Sequence, residues 1–310
     1  MSDQRTVLIT GGTGSLGYRA AEAILDTDAD MRVVITGRGA ERVLAAARRL
    51  GDRAVGLPLD LSSLAQVRSF AQQFGTHSLP PLHAIICNAG VQIVSGTVLT
   101  VDGIEQTFAV NHLAHVALVR ELLPDMGSPG RIIFVASDTH DPKKPTGMPD
   151  PRYTTAWDLA HPDDTDETST PGAIGRRRYT TSKLCNVLTA YELARRLDPE
   201  RRITINTFDP GLMPGTGLGR DYPGLQGMAW RYLLPALTVV PGINVHTPRR
   251  SGQALARLAL DPELNAVSGK YFSGRRQIRS SVDSYDAAKA ADLWTTSVAL
   301  VGTPGPPGDG

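Results

Sequence analysis

The octapeptide Thr10–Gly17, TGGTGSLG, decides the fold of this 310-residue chain. It follows the apolar run Val7–Ile9 and precedes the alanine-rich stretch Tyr18–Leu25, an order that predicts a strand, a tight glycine turn and a helix. Unpaired N–H groups at the start of a helix and the helix dipole both favour anions. We therefore expect the octapeptide to cradle the phosphates of a dinucleotide.

Strand and helix patterns alternate along the rest of the chain, as in consecutive β-α-β units. The predicted strands are Thr6–Thr10, Arg32–Thr36, Ala54–Leu59, Ala84–Cys87, Arg131–Ala136, Thr204–Phe208 and Lys270–Phe272. The predicted helices are Leu16–Leu25, Ala40–Leu50, Leu64–Phe74, Val101–Leu123, Tyr179–Leu197, Gly252–Leu260 and Tyr285–Leu300. Right-handed crossovers then give a single-domain, Rossmann-type doubly wound α/β sheet of about seven parallel strands, in the order 3-2-1-4-5-6-7, with helices on both faces.

We expect residues 1–301 to form this one domain and the Gly/Pro-rich tail 302–310 to be disordered. Two long segments interrupt the alternation, Asp138–Arg178 and Gly211–Arg250, and both follow strand ends, where open α/β sheets bind ligands. The second contains an apolar patch that predicts a mobile substrate lid at about 211–250. The same patch would equally suit fixed packing against the domain.

The net charge of +1 and the scattered basic residues predict no nucleic-acid partner. Cys87 and Cys185 are the only two cysteines, which favours a reducing, cytoplasmic location and core packing over disulfides. No apolar run approaches the ~20 residues of a transmembrane helix, no signal peptide is evident, and no metal site is expected. The basic run Arg176–Arg178 predicts either a solvated helix start or a contact with an anionic substrate or phosphate.

Tyr179 and Lys183 stand four residues apart in the sequence YTTSK, so they share one face of a helix. An ammonium group beside a phenol stabilises the phenolate, and a phenol tuned in this way can exchange a proton with a substrate oxygen. Together with the dinucleotide site, the pair predicts hydride transfer.

Five further motifs stand in order along the chain: Asp60-Leu61 after the third predicted strand, Asn88-Ala89-Gly90 after the fourth, Asn111 in the run NHLAH of the long helix, Ser137 at the end of the fifth strand, and Pro210-Gly211 after the sixth. With the octapeptide and YTTSK, this ordered set resembles the short-chain dehydrogenase/reductase superfamily over nearly all of residues 5–300. Within it, the stretches SKLCNVL, YELARRL, SGKYFS and LWTTSVALVG resemble the retinol dehydrogenases and light-dependent protochlorophyllide reductases.

The resemblance implies a role for each matching residue. Tyr179 would be the catalytic acid/base, Lys183 would hold the nicotinamide ribose and tune Tyr179, and Ser137 would hydrogen-bond the substrate carbonyl. Asn111 would hold a water in a relay that ends at Lys183, although it also suits a packing role, and Ser137 also suits a simple strand end. The remaining residues expected to bind the cofactor are Gly11, Thr13, Gly14, Ser15, Leu16, Gly17, Asp60, Leu61, Asn88, Ala89, Gly90, Pro210, Gly211 and Thr216.

Two positions depart from the pattern of the single-domain members. Ser15 replaces the second-last glycine of TGxxxGxG, so the octapeptide fits TGxxGxxG, the pattern of the longer members that act on nucleotide sugars. Those members lack the NAG and GKYFS motifs that this chain carries. Gly215 stands where many relatives place a hydroxyl that touches the cofactor, and the neighbouring Thr216 is the expected substitute.

The end of the second strand, Thr36-Gly37-Arg38-Gly39, predicts the cofactor. An NAD-specific site places a carboxylate there to bind the ribose hydroxyls, whereas a guanidinium can bind a 2′-phosphate through two charge-assisted hydrogen bonds. This segment has an arginine and no acid. We therefore expect NADP(H), bound through Arg38, with NAD(H) as the alternative.

The predicted activity is NADPH-dependent hydride transfer to a carbonyl of a bulky hydrophobic small molecule, or the reverse reaction. We expect the enzyme to be a monomer or a homodimer. Three alternatives remain open at the level of sequence. They are reduction of a conjugated C=C bond, a nucleotide-sugar epimerase or dehydratase activity, and non-enzymatic binding of NADP by a redox-sensing protein.

Overall fold

The computed structural model of the chain describes residues 4–163, 170–213 and 244–302. Its strands are β1 Arg5–Ile9, β2 Met31–Gly37, β3 Ala54–Pro58, β4 Leu82–Cys87, β5 Met126–Val135, β6 Ile203–Asp209, β7 Lys270–Ser273 and β8 Arg276–Ile278. Within the described residues they form one sheet in the order β3-β2-β1-β4-β5-β6-β7-β8. The predicted parallel order is confirmed, and β8 adds an antiparallel edge strand that was absent from the prediction.

Helices cover both faces of this sheet. They are α1 Ser15–Thr27, α2 Ala40–Leu50, α3 Leu64–Phe74, α4 Gln106–Phe108, α5 Ala114–Leu122, α6 Ala156–Ala160, α7 Pro171–Arg196, α8 Pro248–Leu260 and α9 Ala287–Val301. A π-helical turn, Ala109–Leu113, joins α4 to α5.

The central strand β1 carries apolar side chains on both faces because it separates two hydrophobic cores. Successive side chains of a strand point to opposite sides, so Leu8 of β1 packs among α3, α5 and α7, whereas Val7 and Ile9 pack among α1, α2 and α8. All three side chains are completely buried. The continuous apolar runs of the sequence therefore mark strands covered on both faces, and their carboxyl ends meet at one edge of the sheet.

The predicted helix Val101–Leu123 starts too early. Gly103 has a left-handed φ of +74°, and Asp102 accepts a hydrogen bond from the first amide of α3, Leu64 N, at 2.9 Å. These residues therefore form a turn, and the helical segment starts only at Gln106.

The predicted start of the next long helix at Tyr179 is also wrong. α7 begins at Pro171, where Thr170 caps the helix by accepting a hydrogen bond from Ala173 N and proline occupies the first turn. Arg176–Arg178 therefore lie inside the helix and not at its start. The polar segment before Tyr179 thus contains α6 and the first turns of α7.

Several sequence predictions lie outside the described residues. The greater part of the predicted lid, with Gly215 and Thr216, falls in 214–243, and the tail falls in 303–310. Among the helices of the described ranges, none combines the length and the apolar character needed to cross a membrane.

Gly175 allows α7 to approach the loop after β4, and we predict that alanine there destabilises the fold. A Cβ at Gly175 would lie 1.8 Å from the carbonyl oxygen of Ile93, whereas a Cβ at Gly172 would meet only ordinary contacts at 3.6 Å or more. Gly175→Ala should lower the free energy of unfolding by ~1–3 kcal/mol because of this overlap. Gly172→Ala, the matched control, should be neutral or stabilising. Urea titration of both variants checks this, and equal effects would contradict the close packing.

Candidate active site

The glycine turn between β1 and α1 has the shape of a phosphate cradle. Gly11 has a φ of +64°, a Cβ at Gly12 would lie 2.5 Å from Ile35, and one at Gly17 would lie 2.8 Å from the carbonyl oxygen of Gly11. Glycine is therefore required where the turn meets β2 and where α1 starts. Gly14 at the N-cap of α1 offers no side chain to its amides. Those amides and the helix dipole suit the pyrophosphate of NAD(P).

Thr10 joins this turn to the loop after β4. Its Oγ1 accepts hydrogen bonds from the backbone N–H of Asn88 at 2.9 Å and of Ala89 at 3.0 Å, while the Asn88 side chain donates to the Thr10 carbonyl at 2.7 Å. A Cβ at Gly90 would lie 3.5 Å from Lys183 Nζ. The NAG motif therefore connects the predicted phosphate site to the predicted catalytic lysine.

Tyr179 and Lys183 lie together on α7, as their spacing predicts. Lys183 Nζ is 5.4 Å from the centre of the Tyr179 ring, and both side chains are buried. Nζ donates to the carbonyl oxygen of Val135, the last residue of β5, at 3.2 Å. Burial lowers the pKa of Lys183 to about 8. The sequence therefore places an ammonium that is costly to keep charged beside a phenol.

Ser137 begins a short helical turn, residues 138–140, against which α7 packs. His140 Nε2 accepts from the backbone N–H of Ser281 at 3.1 Å, so Nδ1 carries the proton and donates to the Ser137 carbonyl oxygen at 2.6 Å. Burial lowers the pKa of His140 and favours this neutral form. The structure thus gives His140 the role of a loop hydrogen-bonding residue that fixes the backbone of Ser137.

Asn111 lies in the π-helical turn with its side chain fully engaged. Its Oδ1 accepts from Val91 N at 2.7 Å, and its Nδ2 donates to Val91 O at 2.9 Å and to Ser182 Oγ at 3.0 Å. The Asn111 carbonyl lies 3.1 Å from Nδ1 of the buried His115, whose Nε2 is 2.8 Å from Thr10 Oγ1. The amide side chain therefore positions neighbouring elements, and the relay role remains a prediction.

The ends of β2 and β3 form the other side of the cradle. Arg38 is exposed directly after β2, and a Cβ at Gly37 would lie 3.3 Å from Thr13 Oγ1. Asp60 lies half-buried after β3 and accepts hydrogen bonds from Ser62 N at 2.9 Å and Ser62 Oγ at 2.8 Å, while Leu61 is buried. The residue after β2 is therefore an arginine and not a carboxylate, as the sequence indicates.

A hydrogen-bonded acid pair beside Ser137 was missed at the level of sequence. Asn244 Nδ2 lies 2.9 Å from both Asp138 Oδ2 and Asp209 Oδ2. Asp209 immediately precedes Pro210-Gly211, and Gly211 has a φ of +72° and donates its N–H to Asp209 Oδ1 at 2.9 Å. Each acid is next to a motif residue, and this position in the sequence could have indicated that both lie near the site. The contact itself could not be foreseen because it joins distant parts of the chain.

The remaining candidate residues have simpler surroundings. Cys87 and Cys185 are free and completely enclosed in the core, as predicted, and burial raises the pKa of both thiols. Arg178 donates to Thr97 Oγ1 at 2.7 Å, so this residue of the basic run has a protein partner. Within the described ranges, no cluster of three His, Cys, Asp or Glu side chains is arranged to hold a metal ion.

Comparison with known proteins agrees with this arrangement. Residues 5–149 match the family model of short chain dehydrogenases. Protochlorophyllide reductase A of Oryza sativa subsp. japonica is 32% identical, with 96% of this chain and 81% of that protein aligned. Polyprenol dehydrogenase of Danio rerio is 30% identical, with 96% and 87% aligned. A crystal structure of a protein from Mycobacterium paratuberculosis superposes with a TM-score of 0.67 at 26% identity, covering 96% of this chain and 93% of that one.

The chain therefore belongs to the short-chain dehydrogenase/reductase family. It is an NAD(P)-dependent oxidoreductase of that family, and the named relatives include reductases and dehydrogenases.

The burial of Lys183 predicts a trade-off between stability and function. Burial lowers the pKa of Lys183 to about 8, so below that pH the lysine is charged in both the folded and the unfolded protein. The folded protein is then destabilised by the cost of removing this charge from water. Lys183→Met should therefore raise the free energy of unfolding at pH 7 by on the order of 2 kcal/mol. The gain should shrink as pH rises above 8, where folded wild type has released the proton. Asn186 still donates to Val135 O in this variant.

Guanidinium denaturation at a series of pH values measures the effect. Lys270→Met, at an exposed position of β7, is the control and should change stability little at any pH. If Lys183→Met is less stable than wild type at pH 7, the claim that the buried charge of Lys183 destabilises the fold is wrong.

Proposed function

We propose that this enzyme uses NADPH to reduce a carbonyl group of a bulky hydrophobic substrate, and that it oxidises the corresponding alcohol in reverse. The observation that carries the proposal is the buried Tyr179–Lys183 pair, with Nζ 5.4 Å from the ring, at the loop after β4. The proposal treats residues 1–301 as one NADP-binding domain, which the single sheet supports.

Each side chain has a definite task in this scheme. NADPH, when bound, supplies the hydride. Tyr179 gives a proton to the substrate oxygen, and the ammonium of Lys183 stabilises the phenolate that remains. Ser137 donates a hydrogen bond to the same oxygen, which stabilises the negative charge that develops there. Asn111 holds the loop that carries Val91 against α7, and we propose that a water near its turn returns the proton to Lys183.

The preference for NADPH rests on Arg38. Arg38 is exposed directly after β2 and next to Gly37, where a Cβ would lie 3.3 Å from Thr13 Oγ1, and a 2′-phosphate bound there could accept two charge-assisted hydrogen bonds from the Arg38 guanidinium. The loops after β3, β4 and β6 complete the proposed cofactor site. Asp60 would bind the adenine amino group and Leu61 a nearby atom, while Asn88, Ala89, Gly90, Pro210 and Gly211 would line the nicotinamide half.

The names of the relatives support the substrate class. One relative is named for protochlorophyllide and the other for polyprenol, both of them large and mainly apolar molecules. The likeness to a protochlorophyllide reductase also supports a second candidate reaction, the reduction of a conjugated C=C bond, which the same Tyr/Lys pair could protonate.

A substrate panel separates the two reactions. NADPH consumption is followed at 340 nm with retinal, farnesal, a 3-oxosteroid and fluorenone, and each product is identified by mass spectrometry and NMR. An alcohol as the main product supports carbonyl reduction, whereas saturation of the enone or enal supports the second candidate. Consumption with none of these compounds would contradict the proposed substrate class.

Tyr179→Phe should remove nearly all turnover and leave the fold and cofactor affinity intact. The ring fills the same space and only the proton-exchanging hydroxyl is lost, a step that typically contributes ~10²–10⁴-fold. The control is Tyr191→Phe on the same helix, which loses a hydroxyl bonded to Ser280 at 2.7 Å and should remain active. Steady-state kinetics of both variants checks this. More than about a tenth of wild-type activity in Tyr179→Phe would overturn the assignment of the acid.

Arg38→Asp should shift the preference from NADPH toward NADH. The substitution removes the partner of the 2′-phosphate and adds a carboxylate that repels phosphate and can accept hydrogen bonds from ribose hydroxyls. The ratio of kcat/KM for the two cofactors, measured at fixed ionic strength, should fall at least tenfold. Arg48→Asp, the same charge change at the exposed far end of α2, is the control. An unchanged ratio in Arg38→Asp would assign the discrimination to another residue.

A further inference from the structure

The hydroxyl of Ser137 has a competing partner in its neighbour Asp138. Ser137 Oγ lies 3.3 Å from Asp138 Oδ1, and it also accepts from the backbone N–H of Thr139 at 3.3 Å. A hydroxyl has one hydrogen and two acceptor lone pairs. If Asp138 is a carboxylate, it takes the only hydrogen of Ser137, and none remains for a substrate oxygen.

Asp138 belongs to a pair of acids that share one amide. Asn244 Nδ2 has two hydrogens and lies 2.9 Å from Asp138 Oδ2 and 2.9 Å from Asp209 Oδ2. Asp209 is only 1% exposed. Two carboxylates this close and this shielded from water do not both remain charged without penalty. One proton on the pair relieves their repulsion.

The hydrogen-bond partners indicate which acid holds that proton. Asp209 accepts from Gly211 N, Ser273 Oγ and Asn244, and also from the backbone N–H of Asp138. This set of donors favours the charged form. Asp138 has Asn244 at Oδ2, while its Oδ1 faces Ser137 Oγ, an atom that can accept. Burial raises the pKa of both acids, so the donors around Asp209 decide between them, and the charge of Asp209 raises the pKa of Asp138 further.

We propose that neutral Asp138 donates from Oδ1 to Ser137 Oγ and thereby directs the serine hydrogen toward the substrate oxygen. With Thr139 N–H and Asp138 both donating to it, Oγ has used its two acceptor sites. Its hydrogen is then available to the substrate. Asp138 is therefore a positioning residue that acts through Ser137, and the inference rests on the proposed function of that serine.

The other charged and titratable groups around Asp138 are compatible with this assignment. On its own turn, His140 is held neutral, and Asp141 and Lys144 follow toward solvent. From β7, the buried phenol of Tyr271 faces the pair, and burial raises its pKa well above the ordinary value. His246 follows Asn244 and has its pKa lowered by burial and by Arg250. α7, which packs on this turn, carries Tyr179 and Lys183.

Asp138→Asn and Asp138→Ala test whether residue 138 acts by donating a hydrogen bond to Ser137 Oγ or only by filling space. The amide of Asn can accept from Asn244 through its oxygen and donate to Ser137 through its nitrogen at every pH, which reproduces the neutral acid. Alanine supplies no donor. Both variants and wild type are assayed with NADPH and the carbonyl compound of the panel that wild type reduces fastest, from pH 5 to pH 7.5, below the lowered pKa of Lys183.

Wild-type kcat should fall as pH rises through the pKa of Asp138, because the carboxylate then captures the serine hydrogen. Asp138→Asn should keep the kcat that wild type shows at low pH, and its kcat should not fall as the pH rises. Asp138→Ala should lower kcat roughly tenfold, the effect of one lost hydrogen bond, with little change in the KM for NADPH. Equal rates for Asn and Ala, or a fall of kcat with rising pH retained in Asp138→Asn, would overturn the proposal.

A second readout does not depend on turnover. In full-length protein labelled with [4-¹³C]aspartate and saturated with NADP⁺, the carboxyl signal that disappears in Asp138→Asn is titrated by NMR. The pKa read from this signal should lie above the ordinary range for aspartate, and Asp209→Asn should lower it, because the neighbouring charge is gone. Titration in the ordinary range would overturn the proposal.

Ser137→Ala distinguishes failure of this inference from failure of the proposed function. If Ser137→Ala keeps full turnover, the role proposed for the serine is wrong and the inference falls with it. If Ser137→Ala removes turnover but the Asn and Ala variants of Asp138 behave alike, only the inference is wrong. In the Ser137→Ala background, neither Asp138 variant should change the residual rate further.

Discussion

The buried ammonium of Lys183 is the constraint on which the rest of the site depends. It donates to the carbonyl oxygen of Val135 at 3.2 Å and thereby joins the end of β5 to α7. Ser137 follows β5 by two residues, and Tyr179 lies one turn before Lys183 on α7. With the bond from Asn186 Nδ2 to the same Val135 carbonyl at 3.1 Å, the Lys183 bond holds the strand that supplies the serine against the helix that supplies the tyrosine. The desolvation that this requires lowers the pKa of the lysine to about 8.

A second set of bonds fixes the predicted cofactor side of the site. The hydroxyl of Thr10 holds the backbone of Asn88 and Ala89, and His115 connects Thr10 to the carbonyl of Asn111. These contacts join β1, β4 and the π-helical turn. A polar network of this kind is stable in the core because its members satisfy one another, and it holds the glycine turn and the loop near Lys183 in one arrangement.

Much of the fold and of the site could be predicted because their signals are local. The glycine turn, the alternation of strands and helices, and the four-residue spacing of Tyr179 and Lys183 each occupy a short stretch. The start of α7 was missed because Thr170-Pro171 caps a helix inside a segment whose Pro and Gly content is typical of loops. The bridge from Asn244 to Asp138 and Asp209 spans 106 and 35 residues of chain, so no local pattern could indicate it.

The central claim is that hydride passes from NADPH to a carbonyl carbon in a site built around Tyr179 and Lys183. Turnover with NADPH carrying deuterium at the transferable C4 position tests it most directly. The account predicts one deuterium on the carbinol carbon of the alcohol product, with no label transferred by Tyr179→Phe. Deuterium on the β-carbon of a saturated enone or enal, or an alcohol formed without deuterium, would contradict it.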